Sequence, residues 1–335
     1  MFLIMVITEV SSGFAAQSIT KNACFVTGRS LLAEYNKPLF KRYSIFALKA
    51  DDEGLEDKVF GYMATDLKVK NCVVKLKLDS AVIDTSAYAA LDVNAFIKQV
   101  SRLGLICMAE NIIIPPQNNT VITAHPTVPG GNLPSGILGF HSRELVLLSG
   151  GMLEISPTVI AADEYILRFC SNHINRLQNT YLVNETEYIL FGYGTDEENL
   201  ASIRRSIYGV VYAKNLADAG EIPTDTVEAA ILLIKVALET ENDVDEIMNG
   251  GEIDGMNYTA YLRAFLSLLS RNEKMARLMD IMQLNLQHID GSSFSFIDYA
   301  YGFDLTAKFA KKVVTADFAG ADRRYRTVVQ THTYK

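Results

Sequence analysis

The sequence predicts an α+β fold in which a β-rich N-terminal half packs with a mainly helical C-terminal half and a closing C-terminal strand. Three observations support this fold class. Short segments rich in Val, Ile, Phe and Tyr recur through residues 1–90, which is typical of strands. Apolar residues then recur at helical spacing from residue 159 to about residue 314. The segment Tyr325–Tyr334 alternates between apolar and polar residues, which indicates one further strand.

The N-terminal part contains several segments with strand character. The predicted strands are Phe2–Thr8, Ala23–Thr27, Tyr43–Lys49, Lys58–Met63 and Cys72–Lys77. Asp51–Gly54 has the composition of a turn between two of them. The apolar start resembles a signal peptide, but it lacks a basic region and is interrupted by Glu9, so we predict a buried first strand. Asp92 is expected to open a helix, and Leu105–Ile114 to follow it as a strand.

A loop rich in Pro and Gly is predicted at residues 115–136, which hold five of the eight prolines. Long loops in compact domains are usually functional or form interaction arms. Three interpretations remain open: contact with a neighbouring subunit, a plain connector, and an active-site lid. Short strands are expected after the loop, at Ile137–Phe140, Leu145–Leu148 and Met152–Ile155.

The C-terminal half is predicted to be a series of amphipathic helices. Thr195 and Glu198 form a capping-box pattern at the start of one of them. Apolar stripes mark helices from Ala161, over Tyr258–Leu269 and over Lys274–Ile289, and helix is expected to dominate to about Val314. Each apolar stripe must be covered, and helices joined by short links normally cover one another.

The predicted organisation has three parts: a β-rich α+β region at 1–158, a helical region at 159–314, and a basic C-terminal tail and strand at 315–335. The net charge of −8 argues against a protein that coats nucleic acid. No run approaches the ~18 apolar residues of a membrane span, so no membrane partner is predicted. The four cysteines, Cys24, Cys72, Cys107 and Cys170, form no CxxC pair and lie beside apolar residues, which indicates buried free thiols.

Two strings have the composition of ion-binding segments. Gly192–Glu197 resembles the loop that opens an annexin repeat, which implies calcium binding by its carbonyl oxygens, but the resemblance covers about 45 residues once, without a matching acidic ligand. We therefore predict a glycine turn that leads into a capped helix. Glu239–Asp254 carries seven carboxylates and no base but departs from the EF-hand pattern, which favours a solvated turn or an acidic docking surface.

Nucleophile and nucleotide motifs are weak or missing. Ser18–Lys21 matches S-x-x-K but does not open a predicted helix, and the partner motifs are missing. His125 and His141 flank the Pro/Gly loop with Ser142 and Glu144 nearby, a combination that arises by chance in long chains. No G-x-G-x-x-G or Walker loop occurs. The sequence predicts no catalytic, cofactor-binding or metal-ligating residue and no cofactor.

The C-terminal end is basic and contains interleaved aromatic residues. Between Lys308 and Lys335 there are seven basic and two acidic residues, a local charge of +5. Such a segment can bind nucleic acid. In an acidic protein, complementarity between this tail and an acidic patch of the next subunit is the favoured interpretation, and a solvated surface is the other alternative.

The sequence thus favours a structural subunit of a large assembly, most plausibly a viral or phage virion component (capsid, neck, tail or baseplate), located in the virion and assembled in the host cytoplasm. Its partners would be other copies of itself or other subunits. One alternative is a cytosolic enzyme with a dispersed site under the loop at 115–136, and a second is a nucleic-acid-binding module that uses the basic tail. The assembly hypothesis also predicts that deleting 325–335, or reversing Arg323, Arg324 and Arg326, leaves a folded chain that associates poorly.

Overall fold

The computed structural model describes residues 2–67, 75–110, 133–138, 156–169, 269–289, 293–312 and 324–334, together with Ile189 and Leu266. The chain divides into two units. We call them the sheet unit (Met1–Arg42, Phe46–Asp92 and Ile297–Lys335) and the helical unit (Tyr43–Ile45 and Val93–Phe296). The sheet unit therefore draws on two widely separated parts of the sequence. The boundaries predicted at residues 158 and 314 stay predictions.

The fold class is confirmed, because helices and antiparallel sheets are both present and a strand lies near the C-terminal end. A β-rich N-terminal half is not clearly shown. The described elements up to residue 169 are the helices α1 (Phe2–Leu32), α2 (Lys37–Tyr43), α3 (Asp52–Asp66), α4 (Val93–Glu110), α5 (Pro134–Ile137) and α6 (Pro157–Phe169), and the strands β1 (Leu48–Lys49) and β2 (Lys75–Asp84).

Helix α1 replaces two predicted strands, Phe2–Thr8 and Ala23–Thr27. A short run of β-branched residues does not distinguish a strand from a helix by periodicity alone. The buried positions decide the matter, because they recur at intervals of three and four residues along one face. Most of these residues are small or polar, so they do not form an apolar run that the sequence would reveal. The buried residues are Ala16, Thr20, Ala23, Cys24, Thr27 and Leu31.

Helix α3 replaces the predicted turn at Asp51–Gly54 and the predicted strand at Lys58–Met63. Asp51 is the N-cap, and its carboxylate accepts a hydrogen bond from the backbone N–H of Gly54, which satisfies one unpaired donor of the first turn. Leu55, Val59 and Met63 are buried at four-residue intervals. The acidic cluster was therefore a helix start rather than a hairpin turn.

The sheet unit contains a three-stranded antiparallel sheet with the strand order β2–β4–β5, where β4 spans Gly302–Lys312 and β5 spans Arg324–Thr333. The predicted closing strand is confirmed by β5, and the strand predicted at Cys72–Lys77 by its described part in β2. The expectation of helix to Val314 is wrong over β4. Every second residue of β4 from Phe303 to Phe309 is buried, which indicates a strand with one face on the core. These buried residues are Phe303, Leu305, Ala307 and Phe309.

The core of the sheet unit lies between α1, α3 and one face of this sheet. Cys24 belongs to this core, and burial raises the pKa of its thiol to about 11, so the thiolate is scarce at neutral pH. The prediction of a buried free thiol is confirmed for Cys24 and Cys107, whereas Cys72 and Cys170 lie outside the described residues. A separate two-stranded sheet pairs β1 with β3 (Tyr299–Ala300), so only the end of the predicted strand Tyr43–Lys49 is a strand.

The helical unit contains α4, α5, α6 and α7 (Arg271–Ile289). Three predicted helices are confirmed: the helix after Asp92, the helical pattern from Ala161 as far as Phe169, and the helix at Lys274–Ile289. The strand predicted at Leu105–Ile114 is wrong as far as Glu110, because α4 continues to that residue. Gly104 lets α4 and α6 approach closely: a Cβ at that position would lie 1.8 Å from the carbonyl oxygen of Ala161.

Helix α7 is buried on its polar face as well as on its apolar face, which the sequence analysis did not predict. Two of its buried basic side chains have acidic partners, so neither charge is left unpaired, as burial of polar groups requires. Lys274 Nζ lies 2.5 Å from Asp163 Oδ1 and 3.1 Å from the carbonyl oxygen of Leu266. Arg277 donates to Glu273 Oε1 at 2.8 Å and to the carbonyl oxygen of Ile189 at 3.0 Å. This network ties α7 to α6 through Asp163 and to the backbone at Ile189 and Leu266.

Candidate assembly surface

Most of the segments that the sequence analysis selected as functional candidates lie outside the described residues. They are Pro115–Asn132 of the Pro/Gly loop, His125, His141, Gly192–Glu197, Glu239–Asp254 and the capping box at Thr195. The strands predicted at Leu145–Leu148 and Met152–Ile155 also lie outside them, as does most of Tyr258–Leu269. Ile137, the first residue of another predicted strand, ends the short helix α5.

The register of the sheet gathers basic positions at one of its ends. Lys75 of β2 is paired with Lys312 of β4, and Lys311 is paired with Arg324 of β5. The basic character of the C-terminal segment is therefore a property of one end of an ordered sheet. Like charges on directly opposed positions repel one another unless a partner of opposite charge is supplied.

The opposite end of the same sheet is acidic. Asp84 of β2 is paired with Asp304 of β4. The Asp304 carboxylate accepts hydrogen bonds from Tyr88 Oη at 2.9 Å and Thr331 Oγ1 at 2.6 Å. Hydrogen bonds from the Ser86 hydroxyl and backbone N–H lower the pKa of Asp84, so it stays ionised. The sheet therefore carries opposite charge at its two ends, which is compatible with complementary contacts between copies.

The deletion considered in the sequence analysis removes part of the core of the sheet unit. In β5, Val328 and His332 are buried, and the hydroxyl of Tyr334 donates to the carbonyl oxygen of Leu32 at 2.8 Å. These contacts argue against the expectation that a chain lacking 325–335 stays folded, because the deletion would remove buried side chains from the core. Reversal of Arg323, Arg324 and Arg326 stays an untested prediction.

The feature that sequence reasoning missed is the solvent-exposed first half of α1. Four apolar side chains recur there at intervals of four, three and four residues and so lie on one face of the helix. We call them the α1 stripe: Leu3 (69% exposed), Ile7 (56%), Val10 (52%) and Phe14 (69%). Ile4 and Val6 beside them are also exposed. The interval pattern was visible in the sequence, but the assignment of a buried strand concealed it.

The second half of α1 is anchored to the sheet unit. Gln330 Nε2 of β5 donates to the carbonyl oxygen of Lys21 at 3.3 Å, and Thr27 donates to Asp66 at 3.3 Å. Gly28 lies directly on the imidazole ring of His332, where a Cβ would come within 2.2 Å of the ring. Burial begins at Ala16, whereas the side chains of the α1 stripe are all exposed. The stripe is therefore presented by a helix whose other half is fixed in the core.

His332 lies against the anchored half of α1, at Gly28. It is buried, and within the described part of the chain its Nε2 has no hydrogen-bond partner. Burial lowers the pKa of this imidazole below its ordinary value of 6.5 and outweighs the opposing effect of Asp304. The unfolded chain thus binds a proton before the folded chain does. We expect the free energy of unfolding to be undiminished above pH 6.5 and to fall as the pH drops through the folded-state pKa, by about 1.4 kcal/mol per unit of pKa difference.

Urea unfolding of the wild type and His332→Gln between pH 7.5 and 5 tests this expectation. Glutamine does not titrate, so the variant should be less stable at pH 7.5 but should lose less stability on acidification. Equal pH dependence of the two proteins would show that another group is responsible.

Neither a metal-binding group nor a membrane-spanning helix is found in the part of the chain that the structure describes. In the described ranges, no group of three or more His, Cys, Asp or Glu side chains is placed to hold a metal ion. None of the helices that could be described has the length and apolar character that crossing a membrane requires. The ion pairs of α7 are buried, and a catalytic group must be reached by substrate, so the geometry of these pairs suits a structural role.

Comparison with known proteins gives one family match. The chain is similar to a family described as "Family of unknown function (DUF5702)" over residues 148–221 and 230–311. The match includes α6, α7 and most of β4, but it does not include α1. No curated protein and no solved structure matches the chain. The family description supplies no activity.

Proposed function

We propose that this chain is a structural subunit of an assembly, and that it acts through contacts with further copies of itself or with other subunits. The observation that carries the proposal is the exposed α1 stripe. Contiguous apolar patches of more than a few hundred Å² are rare on monomers and mark interaction sites. The stripe and its flanking residues expose on the order of 500 Å² of apolar surface, from about half of each of six large side chains.

The charge distribution of the sheet supports the same proposal. The strand register places the basic positions Lys312 and Arg324 at one end of the sheet and the acidic pair Asp84 and Asp304 at the other end. Complementary charge steers subunits together and fixes their orientation, whereas apolar burial supplies most of the affinity. A virion setting and the matching location, as predicted from the sequence, stay part of this proposal as its most specific form.

The test is the mass of the native protein by light scattering at low and high salt. The wild type should form oligomers or larger particles, and Ile7→Gln combined with Phe14→Gln should reduce it to a monomer of about 37 kDa. Glutamine keeps a high helix propensity, so the substitutions remove apolar surface without breaking α1.

A matched control is Val329→Gln, which removes an equally exposed apolar side chain from the outer face of β5. This variant should assemble like the wild type. A wild type that is monomeric at all concentrations and salt levels would contradict the proposed function and would direct attention to the histidines of the Pro/Gly loop.

A further inference from the structure

We infer that the occupant of the α1 stripe is the α1 stripe of a second copy, packed in parallel as a short two-stranded coiled coil. This inference rests on the proposed function and names its partner. Leu3, Ile7, Val10 and Phe14 follow the alternating four- and three-residue intervals of a heptad repeat. In that repeat Ile7 and Phe14 take a positions, and Leu3 and Val10 take d positions. Ile7 at a with Leu3 at d is the combination that favours two parallel strands, whereas Phe14 at a and Val10 at d depart from it.

The length of the seam is set by the fold. The next d and a positions are Gln17 and Lys21, which are polar and end the apolar repeat. Burial of α1 against its own sheet unit begins at the same point, at Ala16 and Thr20. The free part of the helix therefore contains two heptads, a contact about 20 Å long at 1.5 Å per residue. Sequence pattern and burial agree on where the intermolecular contact ends and the intramolecular contact begins.

The apolar area is sufficient for a paired contact. Two stripes that each bury on the order of 500 Å² remove about 1,000 Å² in total, which is the lower limit for a specific interface. Single pairs at this limit are weak, so a stable product requires contacts repeated over several copies, as multivalent association provides. The additional charged surfaces of the sheet are placed to contribute such contacts.

The charges of the helix favour a second copy over a lipid surface. Helices that lie on membranes carry Lys and Arg on their polar face. Between residues 2 and 20 the only charged residue is Glu9, and the first basic residue is Lys21, beyond the stripe. The other neighbours away from the stripe are uncharged, among them Thr8, Ser12 and Ala15. A parallel pair of such helices brings no basic residues together along the seam.

Disulfide trapping distinguishes this arrangement from others. Val10→Cys places a thiol at a d position, where two parallel helices meet at the same residue, and Thr8→Cys places one on the opposite, exposed side of α1. Under mild oxidation of the full chain, the fraction of dimer linked through residue 10 should exceed that linked through residue 8 roughly tenfold, because disulfides require close Cβ atoms. Peptide mass mapping confirms which cysteines are joined.

Each outcome has a separate meaning. An assembly that persists by light scattering without a disulfide between two residues 10 overturns the paired-stripe inference but leaves the proposed function intact. A monomer that forms no such disulfide overturns both. Binding of α1 to phosphatidylcholine vesicles, with loss of the disulfide, overturns the inference in favour of a lipid surface.

Discussion

Asp163→Ala should destabilise the helical unit by about 3–5 kcal/mol, the usual cost of leaving one member of a buried ion pair without its partner. Lys274 is fully buried, and its ammonium group has the Asp163 carboxylate as its charged partner at 2.5 Å. Removal of that carboxylate leaves a positive charge with only the carbonyl oxygen of Leu266 in hydrogen-bonding distance among the described residues. Urea unfolding followed by far-UV circular dichroism measures the loss.

Two further variants separate the charge effect from loss of packing. Asp163→Leu combined with Lys274→Met replaces the pair by apolar side chains of similar volume and should recover most of the lost stability. Asp57→Ala removes an exposed carboxylate from α3 and should change stability by less than about 0.5 kcal/mol. An Asp163→Ala protein within 1 kcal/mol of the wild type, as an approximate limit, would contradict the buried pair.

Gly104→Ala should cost about 1–3 kcal/mol, because the added methyl group has no space where α4 crosses α6. The new Cβ would lie 1.8 Å from a backbone oxygen of Ala161, and a backbone atom cannot rotate away as a side chain can. The two helices must move apart, which also lengthens the hydrogen bond of 2.8 Å from Ser101 Oγ to the carbonyl oxygen of Thr158. Thermal or urea unfolding of the helical unit measures the effect.

Gly61→Ala is the matched control for this substitution. Gly61 lies in the middle of α3, and a Cβ there would meet no atom within 4 Å. The same chemical change should therefore stabilise the protein by about 0.5–1 kcal/mol, since alanine restricts the unfolded chain and favours helix. If both variants shift stability in the same direction, the close approach of α4 to α6 is not the cause.

The sequence was most informative where a long segment has one clear period. The helix at Lys274–Ile289 and the strand β5 were predicted because apolar residues mark their periods over many residues. Helix α1 was missed because its core contacts are made by Ala16, Thr20 and Thr27, which do not stand out in an apolar pattern. Only tertiary packing reveals that these residues are the buried face.

The α1 stripe could not be predicted from the sequence as an exposed surface, for a related reason. The four-three-four spacing of the α1 stripe can be read from the sequence, but the same residues in a core helix would look identical. What makes them a candidate is their exposure, and exposure depends on what the remainder of the chain covers. Likewise, the sequence alone indicates that the polar face of α7 is exposed to solvent. Only the structure shows that this face is buried against partners such as Asp163.

The sheet unit is built from residues 1–92 and 297–335, apart from Tyr43–Ile45. This arrangement determines when, during synthesis, the protein can begin to associate. The Tyr334 hydroxyl is hydrogen-bonded to Leu32, 302 residues away in the sequence. Asn36 is hydrogen-bonded to Tyr299, 263 residues away. Contacts of such long range form late in folding because a large loop must be closed first. During synthesis, α1 has no sheet to dock on until residues 297–335 have left the ribosome. We therefore expect the α1 stripe to be held in a fixed orientation only after residues 297–335 have been synthesised and have paired into the sheet.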